Sequence, residues 1–239
     1  MIQTTSGHPH ARLGVVIPAF NPGTAIVDTL LQLLKLVPPE NILVVDDGST
    51  DHTAARVEQL GVSLYRHKSN RGKGVALASG FQRILQLDVT RVLVIDADGQ
   101  HDPADLPRFC AALTPEYDLI IGDRSETQGE MPWLRRLSNR TSSRIVSTLC
   151  RRRIPDSQCG FRLIRSSVIQ RLHLVSRHYE YETELLLKVA RCGWRIGNLS
   201  IAGLYFAESS QIRKWRDTLR FAGLICRSLF WRRSDVVRA

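Results

Sequence analysis

Two aspartates one residue apart, Asp96 and Asp98, are the side chains of this chain most suited to chemistry. They stand in the stretch DADGQH (96–101), directly after the apolar run 92–95, which is typical of a buried strand. Two carboxylates at the end of a strand are unfavourable unless a counterion neutralises them, and a hard divalent cation that carries a substrate diphosphate does so. A solvated Asp-Gly turn has the same sequence. The metal hypothesis therefore depends on other polar clusters in the chain.

The composition is that of an ordinary globular protein. The 239 residues are 43% hydrophobic and 23% charged, which is enough for one α/β domain with a full core. The five cysteines are odd in number and form no C-x-x-C pair, so neither a zinc site nor a disulfide framework is predicted. Residues 1–12 are polar without a signal-like apolar core, and no apolar run approaches the roughly 20 residues of a membrane span. We expect a cytoplasmic protein.

The strong positive charge predicts an anionic partner. The net charge is +10, and arginines crowd between 135 and 153 and again between 213 and 233. A nucleotide, a phospholipid surface and a nucleic acid all fit this charge. The arginines lack the interleaved aromatic residues of a base-stacking surface, and no nucleic-acid-binding motif is present. We therefore expect no nucleic-acid partner.

Apolar strands alternate with helical stretches along the first half of the chain. This alternation predicts a mainly parallel sheet with helices on both faces, whose ligands bind beyond the carboxyl ends of the strands. Asp46, Asp47, Lys73 and Asp96 all follow predicted strands, so we expect them to meet at one edge. The predicted strands are 13–17, 42–45, 62–65, 91–95 and 118–121, and the predicted helices are 26–37, 74–87 and one from Pro103.

The second half of the chain is less regular. We predict a loop over 124–133, an arginine-rich helix to Cys150, and a loop over 156–162 that enters a strand. A helix (181–192), a strand (194–201) and a last helix (213–231) follow. Apolar residues recur along the last helix at helical spacing: Trp215, Leu219, Ala222, Cys226 and Leu229. The arginines of this helix fall on a different face. We divide the chain into a polar tail (1–12), one domain (13–208) and a basic amphipathic extension (209–239).

Five motifs occur in order: PAFN (18–21), VDDGSTD (45–51), NRGKG (70–74), DADGQH (96–101) and DSQCGFR (156–162). Together they resemble the family 2 glycosyltransferases of GT-A fold, in the branch that contains dolichyl-phosphate mannose synthase and related polyprenyl-phosphate hexosyltransferases. The resemblance covers about 13–221. It implies a single Rossmann-like α/β domain whose mainly parallel central sheet is flanked by helices. It also implies metal-dependent, inverting transfer of a hexose from a UDP- or GDP-linked sugar to a polyprenyl phosphate of the cell envelope.

The resemblance implies a donor site made of several loops. Four residues after the first strand would line the nucleotide base, and two aspartates would accept hydrogen bonds from the base or the ribose. Basic residues would neutralise the phosphates, and Mg²⁺ or Mn²⁺ would bind beside the diphosphate. For each, a plain turn, cap or surface residue is the alternative. The base-lining residues are Pro18, Ala19, Phe20 and Asn21; the aspartates are Asp46 and Asp47; the basic residues are Lys73 and Arg213; the metal ligands are Asp96, Asp98 and Gln100, with Ala97 between them.

The acceptor decides which residues are catalytic. The resemblance implies that Arg135 and Arg136 line an anionic acceptor site and that Arg124 holds a phosphate bidentately. A lipid phosphate is already ionised and needs no general base, whereas a hydroxyl acceptor needs one, and Asp156 is then the candidate. A nucleotidyltransferase and a non-catalytic relative stay open as alternatives. The basic extension is expected either to dock on an anionic membrane or to pack on its own domain.

Overall fold

The computed structural model describes residues 12–126, 133–203 and 214–238. The side chains of 134, 135, 214 and 215 lie outside this description. The described residues form one seven-stranded sheet, which confirms the predicted α/β architecture. Its strands are β1 (Leu13–Ala19), β2 (Ile42–Asp46), β3 (Ser63–Arg66), β4 (Arg91–Val94), β5 (Leu119–Asp123), β6 (Arg162–Arg165) and β7 (Ile196–Ser200).

Helices follow most of the strands, as the alternating pattern predicts. Two 3₁₀ turns, Pro39–Asn41 and Pro103–Asp105, precede β2 and the fourth helix. The described α-helices are α1 (Ala25–Leu33), α2 (Thr53–Gln59), α3 (Lys73–Ile84), α4 (Leu106–Ala112), α5 (Trp133–Cys150), α6 (Ser166–Arg171), α7 (Glu180–Arg191), α8 (Lys214–Ser228) and α9 (Arg233–Val236).

The strand order β3-β2-β1-β4-β6-β5-β7 places a topological switch between β1 and β4. The chain leaves β1 toward β2 and β3, then returns to add β4 on the other side, and ligands of open α/β sheets bind at such a point. Strand β6 runs antiparallel to both β4 and β5. Its first residue, Arg162, pairs with Val94 and Ile121 near the carboxyl ends of those strands. The loop before β6 therefore lies at the same edge as the loops after β1, β2, β4 and β5.

The central strands are buried on both faces. Every residue of β1 and β2 is buried, as expected for parallel strands covered by helices on both sides. Helix α3 presents Leu77, Phe81 and Ile84 to this core. The lack of a side chain at Gly80 lets α3 lie close to β1, since a Cβ there would be 2.4 Å from Val16 Cγ1. This packing fixes where α3 begins, and its first residue is Lys73.

Strand β1 is longer than predicted. The expectation that it ends at Ile17, before Pro18, is wrong, because β1 continues to Ala19 with Pro18 paired to Val45 of β2. Pairing with β4 stops at Val16. A proline, which lacks an N–H, is therefore accommodated where β1 has lost its neighbour on one side.

The last helix packs on the domain through a face other than its predicted apolar row. Leu224 and Ser228 of α8 are buried, and Phe221 and Ile225 pack against the core. Leu219 and Leu229, which belong to the apolar row, are 63% and 58% exposed. The periodicity was correctly identified as helical, but the apolar stripe faces outward. Within the part of the chain that the structure describes, no helix combines the length and apolarity required to cross a bilayer.

Candidate active site

The predicted carboxylate pair and the predicted lysine meet at the carboxyl edge of the sheet. Lys73 Nζ lies 2.8 Å from Asp96 Oδ1 and also donates to Glu182 Oε1. Burial disfavours a charged Lys73, but the charges of Asp96 and Glu182 outweigh it and raise the pKa of Lys73. Burial likewise opposes the charge on Asp96, and the Lys73 ammonium overcomes it and holds the pKa of Asp96 below its usual range. Both groups are therefore ionised at neutral pH.

Asp98 lies at the mouth of the site. Its side chain is exposed, and its Oδ1 accepts a hydrogen bond from the Gln100 N–H at 3.0 Å. Reduced hydration and then the negative charge of Asp96 raise the pKa of Asp98. The two carboxylates therefore repel each other, and a cation bound beside them would relieve this repulsion. Ala97 between them is buried, while Gln100 is half-buried at the same edge.

The loop before β6 closes over Asp96. A Cβ added at Gly160 would lie 2.2 Å from Asp96 Oδ2 and 2.4 Å from its Cγ, so the position has no room for a side chain. Arg162 holds this loop in shape. Its guanidinium donates to the carbonyl oxygens of Cys159 and Ser157, both at 2.8 Å, and is itself 2% exposed.

Arg124 and Asp156 are partners in one buried ion pair. Arg124 Nε and Nη2 lie 2.7 and 3.2 Å from the two carboxylate oxygens of Asp156. Asp156 is 1% exposed, and its Oδ1 also accepts from the Gln158 N–H. The sequence assigned these residues separate roles, one as a base and one as a phosphate ligand. The structure places them in direct contact, so each constrains the other.

Asp46 and Asp47 shape the loops around the site. Asp47 accepts from the N–H groups of Arg71 and Gly72, and His67 Nδ1 lies 2.6 Å from its Oδ1. Asp46 accepts from the Ser49 N–H at 2.7 Å and pairs with Arg66. Both carboxylates are buried. Their role toward a nucleotide stays a prediction, because the observed bonds are internal and position the loop that leads into Lys73.

The loops after β1 and β2 are joined by Asn21. Its Oδ1 accepts from the Thr50 N–H at 2.8 Å, its N–H donates to Ser49 Oγ, and its φ is +49°. Pro18 and Ala19 belong to β1 and are buried, so among the four predicted base-lining residues the partly exposed ones are Phe20 and Asn21. Any contact of Pro18 and Ala19 with a base must therefore use their backbone.

A second loop, Val175–His178, holds the turn that precedes Lys73. The Gly74 N–H donates to the Arg177 carbonyl at 2.9 Å, and a Cβ at Gly72, whose φ is +99°, would lie 2.4 Å from that oxygen. Glu184 of α7 accepts from the N–H groups of Val175 and Ser176 and pairs with Lys188. Glu184 therefore fixes the backbone of this loop to α7.

His101 is buried and packs against an aromatic ring. The ring is 3% exposed and lies edge-on to Phe161, with 5.9 Å between centroids. Burial and then the nearby Arg124 lower the pKa of His101 to about 4. The ring is thus neutral at physiological pH.

Of three further basic residues predicted for the site, the structure describes the side chain of one. Arg136 lies in the first turn of α5 and is half-buried. Arg135 belongs to the same helix, but its side chain lies outside the described residues, and Arg213 lies outside them entirely. Their assignments to acceptor and donor stay predictions.

The carboxylate pair suits a divalent cation that arrives with a diphosphate. Among the residues that the structure describes, no group of three or more His, Cys, Asp or Glu side chains is arranged to hold a metal. Asp96 and Asp98 provide two hard oxygen ligands that repel each other, and Mg²⁺ or Mn²⁺ takes its remaining ligands from phosphates and water. The residues therefore fit a metal that is bound jointly by protein and substrate.

Two residues of this site were not identified from the sequence. Glu182 is bonded to Lys73 although 109 residues separate them, and nothing near it in the sequence marks it as a site residue. Arg162 had no predicted role, and its place in the motif DSQCGFR (156–162) was the available signal.

Glu182→Gln is expected to lower the free energy of unfolding by about 1–3 kcal/mol, because the glutamine oxygen can still accept from Lys73 but no longer supplies a negative charge to offset the buried ammonium. We also expect kcat/KM to fall about tenfold, since Asp96 alone then balances the charge of Lys73. Thermal denaturation and steady-state kinetics measure the two effects. Glu58→Gln, at an exposed position of α2, is the matched control. Equal behaviour of the two variants would contradict the positioning role of Glu182.

The fold and the site at the carboxyl edge of the sheet agree with one protein family. Residues 14–172 match the family model described as Glycosyl transferase family 2. The chain belongs to this family, and its mixed α/β domain is a GT-A fold, as expected from the resemblance.

Two relatives with named activities align with about 80% of the chain. Over 205 residues it is 29% identical to polyprenol monophosphomannose synthase of Mycolicibacterium smegmatis, covering 81% of this chain and 77% of the relative. Over 201 residues it is 29% identical to undecaprenyl-phosphate mannosyltransferase of Micrococcus luteus, covering 80% and 82%.

The fold is shared with glucosyl-3-phosphoglycerate synthase from Mycobacterium tuberculosis. The complex of that enzyme with uridine diphosphate superposes with a TM-score of 0.72 at 18% identity, covering 94% of this chain and 82% of that one. Another structure of the same enzyme contains Mn²⁺, UDP-glucose and phosphoglyceric acid, with a TM-score of 0.70 at 19% identity, covering 92% and 78%. At this identity the likeness concerns the fold.

Proposed function

We propose that this protein transfers a hexose from a UDP- or GDP-linked sugar to a polyprenyl phosphate, in a metal-dependent reaction that inverts the anomeric centre. The observation that carries the proposal is the contact between Lys73 and Asp96, with Asp98 beside them at the sheet edge. The names of the relatives, which act on polyprenol and undecaprenyl phosphates, support the acceptor class. The Mn²⁺ and UDP-sugar in the structural neighbour support the donor and the metal.

The donor would lie across the switch between β1 and β4. Phe20 and Asn21 border the base, and Lys73 neutralises a phosphate. Asp96 and Asp98, with Gln100 beside them, would hold Mg²⁺ or Mn²⁺, which stabilises the charge that develops on the leaving diphosphate. Lys73 is already charged and fixed by two carboxylates, so it acts without reorganisation as the sugar departs.

The ion pair of Arg124 and Asp156 favours a phosphate acceptor. Both carboxylate oxygens of Asp156 are engaged by Arg124, and the residue is almost fully buried. A general base must reach the acceptor proton, and this carboxylate points into the protein instead. A phosphate oxygen attacks the anomeric carbon without losing a proton, while the bond from that carbon to the diphosphate breaks on the opposite face. Asp156 then acts by orienting Arg124 toward an anionic group.

Asp156→Asn separates the two roles of this residue. If it orients Arg124, we expect transfer to polyprenyl phosphate to fall about 10- to 100-fold with an unchanged shape of the pH–rate profile. If it is the base, the rising limb of the profile disappears with it. The pH dependence of kcat/KM in the wild type and the variant decides between them. Loss of that limb would contradict the positioning role.

The acceptor class is tested with a matched pair of lipids. Polyprenyl phosphate and the corresponding polyprenol differ only in the phosphate, so they isolate its contribution. With UDP- and GDP-hexoses and Mg²⁺ or Mn²⁺, we expect glycosylated product from the phosphate alone. Product from polyprenol at a comparable rate would instead support transfer to a hydroxyl.

An enzyme that uses a lipid acceptor must act at a membrane surface. We place the enzyme at the cytoplasmic face of the membrane, as a peripheral protein that binds the lipid phosphate from the aqueous side. The net charge of +10 suits an anionic surface. Salt-dependent recovery in the membrane fraction of lysed cells is the expected behaviour.

A further inference from the structure

The exposed stripe of α8 is an apolar feature of the described surface that the site leaves unexplained. It consists of Leu219, Ala222 and Cys226 and continues into the turn after the helix with Leu229 and Phe230, which is 83% exposed. These residues recur at intervals of three and four, so they line one side of the helix. Single exposed apolar residues need no explanation, but a continuous row of them marks a contact surface.

The stripe is not the face by which α8 is attached to the domain. That face carries Leu224 and Ser228, and the Arg191 guanidinium of α7 donates to the Ser228 and Trp231 carbonyls at 3.0 and 3.2 Å. Helix α8 is therefore already fixed in place. Its outward stripe is available for a second contact.

A row of arginines borders the stripe. Arg216, Arg220 and Arg227 follow the same spacing and lie about 100° further around the helix, as expected for positions displaced by one residue. Arg220 is paired with Asp217 and Arg227 is exposed. An apolar row beside a basic row is the pattern of a helix that lies in the plane of a membrane interface.

The orientation of α8 connects the stripe to the active site. Helices α7 and α8 pack against each other, and their last turns meet where Arg191 donates to the Ser228 carbonyl. The first turn of α8 therefore lies toward the start of α7, which directly follows Tyr179, and the Tyr179 ring lies 5.9 Å from Lys73 Nζ. The stripe thus begins near the mouth of the site and extends away from it.

We propose that the α8 stripe is a membrane-docking surface, which inserts its apolar side chains into a bilayer containing anionic phospholipid while the adjacent arginines bind the headgroups. A second copy of the chain fits less well, because pairing two stripes brings two arginine rows together. The inference rests on the proposed function and deepens it, since docking would bring a lipid phosphate to the sheet edge where the donor binds. Its test is nevertheless independent of transfer.

Vesicle co-sedimentation of the full chain tests the surface. We expect binding to phosphatidylcholine vesicles that contain phosphatidylglycerol, little binding to phosphatidylcholine alone, and weakening by salt. The double variant Leu219→Glu with Leu229→Glu should bind at least about tenfold more weakly. Leu31→Glu with Leu87→Glu, at leucines 46% and 41% exposed elsewhere, should bind like the wild type. Equal binding of all three proteins would overturn the proposal.

Labelling of Cys226 allows a fluorescence measurement of docking that needs no charged substitution. An environment-sensitive fluorophore on Cys226, in a chain with Cys110→Ser and Cys192→Ser, should shift to the blue with anionic vesicles only. An unshifted spectrum, or a dimer that the glutamate double variant disrupts, would overturn the proposal. Transfer to detergent-dispersed polyprenyl phosphate should be unchanged in the double variant. If the wild-type protein transfers the hexose but does not bind vesicles, the membrane-docking surface is refuted and the proposed function stands. If it binds vesicles but does not transfer the hexose, the proposed function is refuted and the surface stands.

Discussion

Asp98→Asn should reduce metal-dependent transfer by about 100-fold or more while leaving the fold intact. Asp98 is exposed, and its Oδ1 accepts from the Gln100 N–H, a bond that an asparagine oxygen can also accept. The substitution removes a negative charge from a pair that fits a divalent cation, and the charge stabilisation at the leaving diphosphate falls with it. Initial rates across a Mn²⁺ titration, with circular dichroism as the test of folding, measure the effect.

The matched control for this substitution is Asp88→Asn. Asp88 is a highly exposed aspartate whose described partner is Arg12 at the surface, so its loss should leave transfer and metal dependence unchanged. Near-normal turnover of Asp98→Asn at the wild-type Mn²⁺ concentration would count decisively against the metal assignment. A variant that is inactive because it is unfolded is recognised by its circular dichroism.

Gly160→Ala is expected to abolish donor-dependent metal binding through a single methyl group. The added Cβ would lie 2.2 Å from Asp96 Oδ2, and the loop that carries it is fixed by Arg162, so the carboxylate must move. A displacement of about 1 Å in a catalytic group costs about 100-fold in rate. The free energy of unfolding should fall by about 1–3 kcal/mol from overpacking. Calorimetric titration of Mn²⁺ with nucleoside diphosphate and steady-state kinetics give the two readouts.

Gly223→Ala controls for the addition of a methyl group. In α8 the nearest atom to a Cβ there is Arg227 Nη1 at 4.0 Å, so the substitution meets open space and should leave donor binding unchanged. Unaltered metal binding in Gly160→Ala would show that binding does not depend on the position of the Asp96 carboxylate. The assignment of Asp96 as a metal ligand would then be wrong.

Much of the sheet and its functional edge was predictable from local signals. Apolar runs of four or five residues, each followed by polar residues, correctly predicted the strand that ends at Asp46 and the strand that precedes Asp96. The rule that ligands bind at the carboxyl ends of parallel strands then predicted the meeting of Lys73 and Asp96, now seen at 2.8 Å. These inferences succeeded because they depend on short segments and on one general property of the sheet.

The remaining features depend on pairings that no local pattern specifies. The antiparallel direction of β6 brings Gly160 onto Asp96, and the short strand alone did not predict its direction. The pairing of Arg124 with Asp156 spans 32 residues, and that of Lys73 with Glu182 spans 109. The sequence left the direction of the α8 stripe open for a similar reason, since periodicity identifies an apolar row but not what covers it.

The most direct measurement of the central claim is the product analysis of a single reaction with and without metal. Purified protein is incubated with UDP- or GDP-hexose and polyprenyl phosphate, first with Mg²⁺ or Mn²⁺ and then with excess chelator. The arrangement of Lys73, Asp96 and Asp98 predicts polyprenyl-phosphate hexose and nucleoside diphosphate in equal amounts, both lost on chelation and restored by the metal. Pyrophosphate released from a nucleoside triphosphate, or transfer that persists undiminished in chelator, would contradict it.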